Sequence, residues 1–221
     1  MKLVSNISVT PVTVITNSTL SEFYEISRGD AFLSRNLVLD IGIGYIARAM
    51  SGIYELMPVS PNYVAVGRSV LPGGASPAAN DTSIEEMSDP DPYFFRISSK
   101  ELITLADQKY PNAVLFTTYI VGVPEMFEHF GELGDTIKIG ELGLFMGAPY
   151  DPTTLNTSDI EPSKFTIFAR QNILETRGSA LSIPKSTEEG VYSGYLHKWL
   201  VAMFPNFEDV PLDQISGQLG G

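Results

Sequence analysis

Apolar and polar positions change period along the chain, and the changes mark out its elements. Ile7-Ser-Val-Thr-Pro-Val-Thr-Val-Ile-Thr16 alternates β-branched residues with small polar ones, the period-two pattern of a strand. Pro11 cannot donate to a ladder, so this strand is expected at a sheet edge or as an arm reaching a neighbouring subunit. Ile43, Ile46, Ala47 and Met50 then recur at helical spacing, with Asn36 or Asp40 available as a cap, Arg48 on the outer side and Ser51-Gly52 as a stop. Gly42 and Gly44 weaken the first turn, each by up to about 1 kcal/mol relative to Ala.

Residues 62–67 read as a short apolar strand. They lead into the small-residue loop Pro72-Gly-Gly-Ala-Ser-Pro-Ala-Ala-Asn80. Asp81 or Thr82 can cap a helical turn over residues 81–87, with Glu85 or Glu86 near the positive end of its dipole. Asp89-Pro-Asp-Pro92 breaks the chain. Residues 94–98, 114–122, 135–146, 165–172 and 194–204 carry the aromatic and β-branched character of strands, with a helical turn expected over residues 124–133. The 15 prolines and 19 glycines are spread along the whole chain, which suits many short strands joined by turns. The expected class is mostly β: an antiparallel β-sandwich or open barrel, jelly-roll-like, with one or two short helices. The anticipated organisation is an N-terminal strand or arm over residues 1–35, a β-sandwich domain over 36–204 and a C-terminal tail over 205–221.

Composition narrows the function classes. With 221 residues, 43% of them hydrophobic and 18% charged, the chain can bury a substantial core. Fourteen basic against 26 acidic side chains leave a net charge of −12. Phosphate backbones repel such a chain, and no basic run reverses this, so direct nucleic-acid binding is not expected. The absence of cysteine excludes disulfide scaffolds, thiol catalysis and cysteine zinc sites. The start Met1-Lys-Leu-Val-Ser-Asn6 lacks the apolar core of a signal peptide and no apolar run approaches bilayer length, so the expectation is a soluble chain made in the cytoplasm, without membrane insertion.

Candidate chemistry is sparse. Glu141 is a carboxylate inside an otherwise apolar strand, sharing a face with Ile139, Gly143 and Phe145. A catalytic or metal role would need a second acid or a His at ligand spacing, and none is present. The favoured role is a structural ion pair with Arg170, fixing strand register. Glu125 and His129 stand one helical turn apart and could share a metal, but two histidines in the whole chain cannot build a zincin site. A solvated helical turn accounts for His129, and a satisfied strand residue for His197 beside Trp199. Asp81, Asp89, Asp91 and Asp151 lie in loops, without the alternation of a calcium loop. Pro72-Gly-Gly reads as a turn, since neither a phosphate-cradling loop nor a dinucleotide fingerprint occurs, and no nucleophile elbow is found. Tyr93-Phe-Phe95, Phe127 and Phe130 are expected in the core or in a subunit interface rather than against a sugar. No catalytic residue, cofactor or metal is therefore assigned.

Several segments, taken in order, resemble a family of tailed-bacteriophage virion proteins found around the tail tip, baseplate and fibre-attachment region. They are Asn36-Leu-Val-Leu-Asp-Ile-Gly-Ile-Gly-Tyr-Ile-Ala-Arg-Ala-Met-Ser-Gly52, Tyr63-Val-Ala-Val-Gly67, Ala79-Asn-Asp-Thr-Ser-Ile-Glu-Glu86, Gly140-Glu-Leu-Gly-Leu-Phe145, Thr166-Ile-Phe-Ala-Arg170 and a strand around Lys198-Trp-Leu-Val201. Each piece alone is common; their succession is more restrictive. Many relatives carry a Gly-Thr-Gly-Thr run where this chain has Gly67-Arg-Ser-Val70, and the regions 89–107 and 150–163 are longer here. The resemblance implies a non-enzymatic virion subunit, assembled in the host cytoplasm, that joins tail, baseplate or fibre parts through contacts with copies of itself and with other phage structural proteins. A collar, neck or capsid-decorating protein is the alternative within virions, and a host-glycan-binding module the alternative outside that class. A hydrolase of cell-wall polymers would need a paired-carboxylate site that the sequence does not offer.

Overall fold

A computed structural model describes residues 2–16, 23–27, 32–51, 60–106, 108–131, 134–146 and 166–204. Among these the chain is mostly β, with eleven strands and three short helices, and every strand pairing is antiparallel. This is the expected class.

The chain divides into two compact units, each assembled from separate stretches of sequence. Unit 1 comprises Met1–Asn36, Ile97–Val121 and Ser186–Gly221, and unit 2 comprises Leu37–Arg96 and Gly122–Lys185.

Unit 1 is built on the long strands β1 (Lys2–Thr16) and β11 (Val191–Phe204), which pair from Lys2↔Phe204 to Ile15↔Val191. On its other edge β1 pairs first with β3 (Phe32–Val38) over Ser5–Val9 and then with β2 (Phe23–Ser27) over Val12–Thr16. The edge-strand expectation for residues 7–16 is therefore corrected: β1 is an inner strand with partners on both sides. Thr10 and Pro11 fall in the gap between β3 and β2, which is where a residue without an N–H costs the sheet least. Beyond β11 lie β7 (Ala113–Val121) and then β6 (Ser99–Ile103), whose middle residues are exposed.

Unit 2 is organised around β8 (Thr136–Met146), which runs between β4 (Tyr63–Arg68) on one edge and β9 (Thr166–Asn172) and β10 (Leu181–Pro184) on the other. β5 (Tyr93–Arg96) pairs with β4, and the last two residues of β3 pair with β9. Tyr93, Phe94 and Phe95 are buried, as are Phe127 and Phe130 of α2 (Pro124–Phe130), so these aromatics belong to the core.

Helix α1 (Asp40–Ser51) begins at Asp40, and Asn36 lies within β3 instead of capping it. Its described side chains do not form the expected buried stripe, for Ile43 is 49% exposed. Among its described residues the buried one is Gly42, where an added Cβ would overlap the backbone of Phe168. Close helix–strand approach, not helix propensity, selects that glycine. Phe168 sits at an irregularity between β8 and β9, and its carbonyl accepts from Leu39 N–H (3.1 Å) at the helix entrance. Residues 81–87 form turns and no helix; Asp81 instead accepts from the backbone N–H and hydroxyl of Ser83 (2.8 Å each). Among the described residues no helix is long and apolar enough to cross a membrane.

Candidate functional site

The signature strand Ile139-Gly-Glu-Leu-Gly-Leu-Phe145 supplies the site's central residue. In β8, Glu141 lies opposite Gly67 on β4 and Asn172 on β9, while Gly143 lies opposite Ala65 and Arg170. Glu141 and Arg170 are thus diagonal neighbours on one face, a spacing that long side chains bridge. Small residues flank them. At Gly67 a Cβ would stand 2.7 Å from Glu141 Cγ and 2.8 Å from its Oε1, so only glycine leaves the carboxylate its place. Gly140 is passed over where the register shifts between Gly67 and Arg68, and a Cβ there would press on the backbone of Ser69. Past this bulge Arg68 turns to a second acid.

Glu141 is 0% and Arg170 1% exposed. Arg170 donates to Glu141 Oε2 through Nε (2.9 Å) and Nη2 (2.6 Å), while Oε1 accepts the backbone N–H of Asp89 (2.7 Å). The rest of the guanidinium holds the preceding loop: Nη1 donates to Ala79 O (3.2 Å), and Nη2 to Ala78 O (2.9 Å) and Ser88 Oγ (2.8 Å). Asn172 completes the clasp. Its Nδ2 reaches Pro77 O and Ala78 O, and its backbone N–H donates to Asn80 Oδ1 (2.8 Å). Its Oδ1 accepts from Glu175 N–H, capping α3 (Ile173–Arg177), and Glu175 Oε2 accepts from Asn80 N–H. Loop residues 77–80 therefore hang on the end of β9 and the start of α3.

Asp89 extends the network. Its Oδ2 accepts from Arg68 N–H (2.8 Å) and Nε (2.9 Å), and its Oδ1 from Arg68 Nη2 (2.7 Å) and Asp91 N–H (3.1 Å). Burial pushes this carboxyl's pKa up, but the hydrogen bonds from Arg68 and Asp91 and the Arg68 charge outweigh it and hold the group below its ordinary value. Each acid is paired with one arginine, Glu141 with Arg170 and Asp89 with the part-buried Arg68, so the charges of the network balance. Every oxygen of Glu141 and Asp89 is occupied, and Glu141 has no solvent-facing side. The arrangement can lock a loop and a strand register, and it leaves no carboxylate free to take a substrate proton or a metal.

The other sequence candidates stand apart. His129 lies on α2 within 3.1 Å of Asp91 O and packs its ring against Tyr93 and Phe130. Burial, with the charge of Glu125 second, pushes the Tyr93 phenol up to about 12. Among the described residues no three His, Asp or Glu side chains converge as a metal site. Asp81 is engaged in its own turn, and Asp151 lies outside the described residues, as do residues 205–221. His197 is a fully buried strand residue of unit 1, but neither ring nitrogen is hydrogen-bonded, which corrects the expectation that it is satisfied. Sequence reasoning missed Asn172 and Glu175, although Asn172-x-x-Glu175 followed by Gly178 is the spacing of a capped helix. It also treated Asp89 as a turn residue, because nothing local announces a partner 21 positions away.

Comparisons of the chain with family models, with curated proteins and with solved structures returned no match.

Proposed function

We propose that the chain is a non-enzymatic structural subunit of a tailed-phage virion, joining tail, baseplate or fibre parts through contacts with copies of itself and with other virion proteins. One observation carries the reading beyond the order of motifs. Segments that bear the likeness and lie far apart in sequence meet around one buried pair: Gly67 faces Glu141, Glu141 pairs with Arg170, and Arg170 holds Ala79, while outside that network Asp40 N–H donates to Thr82 O (2.9 Å) between exposed residues. Residues needed together for one clasp have a physical reason to occur in that succession. What the clasp fixes is a surface loop, with Ala78 and Ala79 exposed. Presenting loops on a rigid sheet is how an assembling protein addresses its neighbours. A subunit of this kind works by shape and adhesion, and symmetry multiplies each modest contact.

The test is to purify phage particles whose genome encodes the chain and to locate it by mass spectrometry and cryo-microscopy. Several copies at the tail, baseplate or fibre junction are expected, and density at the neck or on the capsid would move the subunit within the virion. Absence from particles would overturn the proposal, and strong selective binding on a glycan array would replace it with a glycan-binding function.

A further inference from the structure

The sheet of unit 1 depends on β11, which pairs with β1 along one edge and with β7 along the other. Near the middle of that strand stands His197, 0% exposed, directly opposite Val9 on β1 and Thr118 on β7. Trp199 lies on the same face, its ring centroid 5.3 Å from the imidazole and nearly perpendicular to it. Neither ring nitrogen of His197 has a hydrogen-bond partner, and neither does Thr118 Oγ1 beside it. Alternation along the strands places Ile7 and Pro11 of β1, Phe116 and Ile120 of β7 and Tyr195 of β11 around the same row. Tyr195 is the one other titratable residue of that set. Lys100 shares the face one strand further out, on exposed β6, and has the same sign as an imidazolium. No carboxylate faces the ring from β1, β7 or β11.

We infer that His197 is an acid-sensitive lock on this sheet: its neutral ring closes the β1–β11–β7 row, and its protonation opens it. An imidazolium brings two donors and a full charge; the row offers no counter-ion, and its hydroxyl, Thr118 Oγ1, makes no hydrogen bond to the ring. The proton is accommodated only where the strands part and water enters. Burial is the cause that holds the imidazole down, to about 3 against an ordinary 6.5. Because the folded value lies below the unfolded one, the contribution is fully present above pH 6.5 and declines as pH falls from 6.5 towards 3.

Trp199 is the chain's single tryptophan, so its emission reports on this row. Urea unfolding of the intact chain, followed by Trp199 fluorescence at pH 7.5, 6.0 and 5.0, should show a midpoint that falls steadily below pH 6.5. In His197→Leu the fall between pH 7.5 and 5.0 should be less than half as large. An equal fall in both proteins overturns the inference. Should the variant not fold, NMR of the labelled imidazole in the wild-type chain decides the matter. A His197 signal that stays neutral in the folded protein down to pH 4.5 supports the lock, and titration near pH 6.5 without loss of folded signals sinks it.

Discussion

The two units treat buried polar groups in opposite ways. In unit 2, Glu141, Arg170, Asp89 and Asn172 are buried and joined, each polar group finding a partner in the loop, the strand or the other charges. In unit 1, Asn6 Nδ2, Ser8 Oγ, Thr13 Oγ1, Thr118 Oγ1 and both nitrogens of His197 are buried with no partner. Unit 2 has a few such atoms too, the Tyr93 hydroxyl and Gln171 Oε1, but none belongs to a charged group. The difference follows charge. An unpartnered neutral donor or acceptor costs about 1–3 kcal/mol, which a sheet packed around Ile7, Phe116, Ile120, Trp199 and Leu200 can absorb. An unpaired buried charge costs more, so the unit that buries ions must satisfy them completely. Unit 1 is held by apolar packing that tolerates polar residues, and unit 2 by a network that requires its polar residues.

The most direct way to break the contrast is Arg170→Ala. It strands the Glu141 carboxylate without its counter-ion and releases Ala78, Ala79 and Ser88, so a loss of about 3–5 kcal/mol is expected. Urea unfolding followed by far-ultraviolet circular dichroism measures it, and a double-mutant cycle with Glu141→Gln isolates the coupling. A coupling near zero would mean that the pair is incidental. Gly67→Ala attacks the same site by volume alone, because its Cβ would lie 2.8 Å from Glu141 Oε1 and 3.0 Å from Asp89 Cβ. Overpacking of this order costs about 1–3 kcal/mol. If the loss stays below about 0.5 kcal/mol, the network is looser than its distances indicate.

Acid separates the units by window. The unit 1 contribution from His197 begins to decline at pH 6.5; by pH 5, 1.5 units lower, about 2 kcal/mol is gone. Asp89 behaves oppositely: its folded pKa is depressed, so its contribution is intact above its ordinary 3.8 and is lost only as pH falls below that value. Between pH 6 and 4, Trp199 fluorescence should therefore lose urea resistance while protection of the Arg68–Asp89 amides, read by hydrogen exchange, persists. Simultaneous loss of both would remove the distinction.

How much of this was legible depended on how local each signal is. The strands around Ala65, Leu115, Ile139, Ile167 and Trp199 announce themselves because alternation and β-branching are written into neighbouring residues. β6 and β10 escaped because Ser99-Lys-Glu-Leu-Ile103 and Leu181-Ser-Ile-Pro184 are short edge strands whose polar residues face solvent. The pairing of Glu141 with Arg170 could be anticipated, since a lone acid in an apolar strand demands a cation and Arg170 ends a neighbouring strand pattern. The roles of Asp89, Asn172 and Gly42 could not, because each depends on a contact across many residues of chain. Pro11 shows the same limit from the other side. Its missing donor pointed to a sheet edge, whereas the fold places it in the gap between two successive partners of an inner strand.

The smallest expected effect gives the contrast its control. His129 and Asp91 also form an acid–base contact in unit 2, with Nε2 3.5 Å from Oδ1, but the Asp91 side chain is 61% exposed. Water screens this pair and already solvates its acid, so Asp91→Asn should change stability by no more than about 0.5 kcal/mol. The backbone carbonyl of Asp91, 3.1 Å from the same nitrogen, remains in place after the substitution and keeps the ring oriented. Measured beside the Glu141–Arg170 cycle, this variant holds the unit constant and changes mainly the burial. A loss as large as that of Arg170→Ala would show that position within unit 2, and not removal from water, is what makes its ion pairs matter.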